Sequence, residues 1–325
     1  MSNPRVLCLG EILYDMLADQ LGRSPSEVES WTAYPGGAPA NVACGLVKLG
    51  TPSAFIGVVG EDEAGNNLQA LLEEIGVDTT GVQRHPQAPT RQVLVVRKQN
   101  GDRVFAGFKD YDTTEFADTR LKAGELPEKL FAGADFLVLG TLELAYPDSG
   151  AAVHRALELA SQYDVKILLD VNWRSVFWTN PDAAPVQIRE LIKKVDFLKL
   201  AKEEAELLFD THDAGAITYR LNSVEGVLVT DGDKGCAYCL GENEDKFPAF
   251  SVPVVDTTGA GDSFVAGFVH QLLDYGVQNL NNPEIAKKII AYACAAGALT
   301  TLKPGAIASQ PTASQIESFL KEHQI

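Results

Sequence analysis

The stretch "VVDTTGAGDSF", Val254 to Phe264, sets two Thr, two Gly and two Asp between an apolar run and an amphipathic segment. Phe264, Phe268 and Leu272 follow at i, i+4 and i+8, which predicts a helix opening at the glycines. Gly259 and Gly261 permit backbone angles closed to other residues and let a ligand approach the main chain. The N–H groups of Gly259, Ala260 and Gly261 are then expected to be the open donors of a helix's first turn, which with the helix dipole make an anion site. Asp262 lies beside that spot. A carboxylate next to a transferring phosphoryl group can take the proton of the attacking hydroxyl. Helix capping alone accounts for one aspartate, but not for Gly-Ala-Gly before it or for Asp256 upstream.

The surrounding elements are legible as alternating strands and helices. Apolar runs "RVLCLG", "AFIGVVG", "DFLVLG", "VKILLDVN", "DFLKLA" and "GVLVTDG" suit strands buried on both faces of a parallel sheet. Helical spacing appears in "ANVACGLVKLG", in "SGAAVHRALELASQY" and over 284 to 301. The fold class expected is α/β, a doubly wound, mostly parallel sheet flanked by helices. "AFSVPVV" before the glycine turn also reads as a strand. "QVLVVRKQNGDRVFAGF" breaks the rhythm, its Asn100-Gly101 being a hairpin signal. With residues 13 to 19 it is expected to form a small antiparallel lid from segments near 12–35 and 90–110. No linker divides the chain, so 1–325 reads as a single domain.

Composition narrows the partners. A formal charge of −17 over 325 residues disfavours nucleic acid and anionic membranes, and makes any phosphate site depend on local amides or cations. Five cysteines, Cys8, Cys44, Cys236, Cys239 and Cys294, suit reduced thiols and a cytoplasmic setting. The CxxC pair in "GCAYCL" falls on a strand, where side chains three apart face opposite ways and cannot share a metal. The amino-terminal apolar run is too short for a signal peptide, and no window suits a membrane span.

"DTTGAGDSFVAGF" resembles the carboxy-terminal signature of the ribokinase-like (PfkB) carbohydrate kinases, and "GGAPANVACGLVKLG", Gly36 to Gly50, their amino-terminal one. The P-loop and GxGxxG patterns are absent. The resemblance implies that Asp262 is the catalytic base over the Gly259, Ala260 and Gly261 anion hole. It implies sugar contacts from Asp15, Gly36, Gly37 and Asn41, and nucleotide contacts from Thr230, Gly232 and Gly235. Glu204 matches a Glu that organises Mg²⁺ through water, although Ala201 stands where the family's NxxE element has Asn. The loop "TTLKPGAIAS" resembles one that binds K⁺, the ligands being oxygens of Asp256, Thr258, Thr300, Lys303, Gly305 and Ser309. The implied cofactors are ATP and Mg²⁺ with K⁺, and a homodimer through the lid fits the family.

"DVNWRSVFW", Asp170 to Trp178, resembles the DxNxR element of fructokinases and of 2-keto-3-deoxygluconate kinases. The Arg174 guanidinium suits sugar oxygens and a carboxylate alike. The fructokinase reading, ATP and D-fructose giving fructose 6-phosphate, comes first. The acidic-sugar kinase, a catalytically silent sugar sensor and a partner-binding protein on this fold are the alternatives.

Overall fold

The computed structural model describes residues 3–97 and 103–325. Thirteen strands are assigned among them. In chain order they are β1 (Val6–Leu9), β2 (Leu13–Leu21), β3 (Trp31–Gly36), β4 (Ser53–Gly60), β5 (Asp78–His85), β6 (Gln92–Arg97) and β7 (Arg103–Phe108). Then come β8 (Phe136–Leu139), β9 (Lys166–Asp170), β10 (Phe197–Ala201), β11 (Gly226–Thr230), β12 (Cys236–Leu240) and β13 (Asn243–Phe247). Nine form one sheet, in the order β13-β12-β11-β10-β9-β8-β1-β4-β5. From β11 to β5 the neighbours run parallel, and the β12–β13 hairpin closes one edge antiparallel.

The six strands expected of the parallel sheet are all present, as β1, β4, β8, β9, β10 and β11. Residues of β1, β4 and β8 are buried throughout, as their unbroken apolar runs require. Each sheet face carries its own apolar layer. Phe264, Phe268 and Leu272 pack in one layer, each contributing about 2 kcal/mol of burial. Cys236 and Cys239 fall in different layers, on opposite sides of β12, so the pair cannot chelate. Among the described residues no cluster of three or more His, Cys, Asp or Glu is set to hold a metal.

The chain order reverses at β1, which has β4 on one side and β8 on the other. A crevice at the carboxyl ends of the strands is expected at such a switch point. Over this sheet stands a second one, ordered β3-β2-β6-β7. Its β2–β3 and β6–β7 pairs are antiparallel, as the lid expectation had them, and the two hairpins join through a parallel β2–β6 pairing. The Asn100-Gly101 turn lies outside the described residues.

One strand expectation fails. Residues 249–255 are irregular, and Val254 and Val255 are exposed. Pro253 removes a ladder donor, and the N–H groups of Val255 and Asp256 go instead to Thr301 O.

Candidate active site

The Ala260–Tyr275 helix starts on Gly259, whose φ is +77°. A Cβ there would lie 2.6 Å from that of Ala306, so this position takes only glycine. Ala260 N–H turns back onto Thr257 O at 3.2 Å. The turn therefore offers the N–H groups of Gly259 and Gly261 as open donors, two rather than the three expected. The dipole of a 16-residue helix still points at them.

Asp262 sits in the first turn of this helix and accepts a hydrogen bond from Asn41 Nδ2 at 2.7 Å. Asn41 belongs to the Ala38–Leu49 helix, which follows Gly37. These two helices approach closely because Gly45 presents no side chain: a Cβ there would be 2.9 Å from Ala266 Cβ. Desolvation pushes the Asp262 pKa up to about 6. The Asn41 bond opposes this, Asp170 adds to it, and Lys199 and Arg174 oppose it. The result is a carboxylate poised to accept a proton near neutrality.

Lys199 is the main residue that sequence reading passed over. It lies on β10, 6% exposed, and donates to both oxygens of Asp170 at 2.9 and 3.2 Å. A side-chain carbon at Gly261 would come within 3.5 Å of its Nζ. A buried ammonium thus sits against the anion turn of an acidic protein. Its signal was the lysine inside the apolar "DFLKLA".

Two buried glutamates were also missed. Glu11 follows β1 and accepts from Ala38 N at 2.8 Å. Burial, with Asp118 and Asp262 adding, pushes its pKa up to about 7 against the pull of its backbone hydrogen bonds. Glu143 follows β8; it is 1% exposed and both its oxygens lack a hydrogen-bond partner. Burial, then repulsion from Glu11, holds its pKa well above the ordinary range. Both lie where β1 and β8 end, at the switch point.

The other expected residues fall in three groups. Asp15 is on β2 of the lid, its carboxylate against Gly36, where a Cβ would be 2.9 Å from Oδ2. Arg174 is exposed on the loop after β9 and acts electrostatically on Asp262. Thr230 ends β11, with Oγ1 donating to Leu200 O at 3.3 Å. Gly232 opens onto free space at φ +49°. Gly235 instead lies tight against Phe247 O, so packing on β13 accounts for that glycine.

Glu204 is buried, and its oxygens accept from Ala201 N at 2.7 Å and Trp173 N at 2.8 Å. It caps its own helix and ties down the Trp173–Arg174 loop. Asp256 accepts from Thr258 N, Thr258 Oγ1 and Gly305 N at 2.7–3.0 Å. Ser309 Oγ bonds Gly305 O, and Thr300 is fully buried with its hydroxyl on Ala296 O, while the Lys303 side chain is exposed. Asp256, Thr258, Gly305 and Ser309 thereby form one knot behind the anion turn, and Ala306 wedges it against Gly259.

Known proteins resemble this chain in sequence and fold. The pfkB family carbohydrate kinase model matches residues 3–313. Fructokinase-2 of Solanum lycopersicum is 33% identical, over 98% of this chain and 97% of the relative. Fructokinase-2 of Zea mays is 34% identical, over 98% and 94%. The fructokinase with bound ATP from Xylella fastidiosa superposes with a TM-score of 0.89 at 27% identity, covering 98% of this chain and 99% of that one. A Vibrio cholerae fructokinase double mutant, in its fructose, ADP and potassium ion bound form, gives 0.82 at 25%, covering 98% and 99%. A motif pair, a sheet with its lid and a poised aspartate thus converge with these likenesses: the chain belongs to the PfkB family of carbohydrate kinases.

Proposed function

We propose that the protein is a fructokinase, transferring the γ-phosphoryl group of ATP to D-fructose to give fructose 6-phosphate. The observation that carries the reading is Asp262: a carboxylate with its pKa raised to about 6, in the first turn of a helix that opens on the N–H groups of Gly259 and Gly261. Likeness to plant and bacterial fructokinases supports the choice of sugar.

Fructose is held between Asp15 and Gly36 on the lid side, and Gly37, Asn41 and Arg174 on the base. Asp262 takes the proton of the primary hydroxyl as its oxygen attacks the γ-phosphorus in line, and ADP leaves. Asn41 fixes the carboxylate during this step. The Gly259 and Gly261 N–H groups, with Lys199 behind them, receive the charge that spreads over the phosphoryl oxygens. Thr230 and Gly232 border the nucleotide. The lid excludes water, which limits wasteful ATP hydrolysis.

Mg²⁺ bound to the phosphates would neutralise charge and orient them. The buried Glu204 fits such an ion through an intervening water, since each oxygen keeps a second lone pair beyond its backbone bond. An all-oxygen set of Asp256, Thr258, Thr300, Lys303, Gly305 and Ser309 suits a hard cation such as K⁺, which would stiffen the knot behind the anion turn. The whole span acts as one catalytic unit in a cytoplasmic setting; among the described residues no helix is long and apolar enough to cross a membrane. Leu21, Val104 and Phe105 are exposed on the lid and suit pairing of two copies there.

An acidic-sugar kinase is the second reading, since Arg174 can hold a carboxylate. The likeness to plant and bacterial fructokinases favours the neutral sugar over the acidic one. The deciding experiment is kcat/KM by ADP formation across fructose, 2-keto-3-deoxygluconate, ribose and adenosine. Fructose is expected to lead; a lead for the keto-acid overturns the sugar assignment, and no turnover with any of them overturns the kinase reading.

A further inference from the structure

Arg91 sits at the root of the lid, immediately before β6, and its side chain is fully buried. Its guanidinium binds Asp118 bidentately at 2.5 and 2.7 Å. It also donates to Thr113 Oγ1 and Thr113 O at 3.0 Å, and to Tyr146 OH at 3.3 Å. The rings of Phe108, Phe116, Tyr146 and Phe177 surround it with centroids 4.6–5.6 Å from Cζ. A buried ion pair of this kind is weak evidence for stability by itself, because desolvation offsets much of the attraction. What distinguishes it is what it joins.

Phe108 ends lid strand β7. Phe177 belongs to the short turn immediately after Arg174, and Tyr146 OH donates to Phe177 O at 2.7 Å. Thr113 Oγ1 lies 2.5 Å from the same hydroxyl. Through its main chain Arg91 takes another part: its carbonyl accepts from Tyr14 N at 3.1 Å, one residue before Asp15. One residue therefore grips the lid strand that carries Asp15 and, through Tyr146, the base loop that carries Arg174. These are opposite walls of the sugar chamber.

We propose that Arg91 is a positioning residue that couples the lid to the Arg174 loop, so that the two walls of the sugar chamber take up their places together. The inference rests on the assignment of Asp15 and Arg174 to the sugar. Planar geometry makes lysine a poor substitute, since only a guanidinium can hold Asp118 in a fork and lie against several rings at once.

The test uses Tyr146→Phe in the full chain, which removes one hydroxyl and keeps the ring and the ion pair. Sugar KM is expected to rise about fivefold with ATP KM within about twofold, because only the sugar walls lose register. ADP released without sugar is expected to grow relative to sugar phosphorylated. A second variant, Arg91→Met with Asp118→Leu, replaces the ion pair by apolar groups without leaving an unpaired charge, and is expected to raise sugar KM about thirtyfold. A Tyr146→Phe protein with a lower melting temperature but unchanged KM values and unchanged ADP leakage makes the cluster merely structural and overturns the proposal. Hydrogen exchange reads the coupling independently of the substrate assignment. Residues 13–21 and 172–178 should both exchange faster in Tyr146→Phe, and faster exchange confined to one of them also overturns it. If the wild type phosphorylates no sugar, the functional assignment fails while the exchange result still decides the coupling.

Discussion

Asp256 and Asp262 stand six positions apart on one motif and live in opposite surroundings. Asp256 is satisfied by donors from its own turn and from Gly305, and knots two loops together. Asp262 receives one hydrogen bond, from Asn41, and is otherwise left to desolvation among Asp170, Lys199 and Arg174. A carboxylate saturated with N–H and O–H donors holds structure; one kept short of them holds a proton affinity. The same residue type is thus assigned to scaffold or to chemistry by how many donors the fold aims at it.

Replacing the short-supplied member breaks this contrast most deeply. Asp262→Asn is expected to lower kcat by at least about 100-fold with ATP binding retained. It should also melt no lower than wild type, and higher if relief of a desolvated charge dominates. A variant keeping more than half the wild-type turnover removes Asp262 from the base role. Arg174→Ala comes next, with sugar KM raised about tenfold and ATP KM nearly unchanged; equal shifts for both would place Arg174 elsewhere. Asp256→Asn inverts the pattern. Loss of a charged acceptor from a buried knot should cost about 1–3 kcal/mol in denaturant melts while kcat falls by no more than about threefold. A larger loss of rate than of stability would erase the distinction.

The mildest probe is pH. The folded pKa of Asp262 lies near 6, above its model-peptide range, so the carboxyl proposed as the base is protonated below that point and ionised above it. kcat/KM should be half-maximal on its acid limb near pH 6. Lys199→Met removes a charge that favours the ionised form and should move that limb upward. An unmoved limb would detach Lys199 from the proton-accepting group.

Much of the scaffold can be read from local pattern. Runs such as those of β1, β4 and β8 announce buried parallel strands, and the Gly-Ala-Gly-Asp turn announces a helix mouth because its parts are adjacent in sequence. The chamber's remaining ionic groups are not local. Lys199 makes sense only beside Asp170, Glu143 only beside Glu11, and Arg91 only beside Asp118, and each pairing is made by tertiary packing rather than by local spacing. Residues 249–255 show the converse error. Alternating valines imitate a strand, yet Pro253 and the claim of Thr301 O on the following N–H groups leave no partner to pair with.

The parallel join of β2 to β6 bears on the order in which the molecule is made. Its two partners are separated in the chain by β3, β4, β5 and their helices, so this seam closes across a long loop that must first be folded away. Arg91 needs Tyr146 and Phe177, further along still. During refolding this seam can close only after the elements between its partners have formed, so recovery of turnover should lag behind recovery of secondary structure.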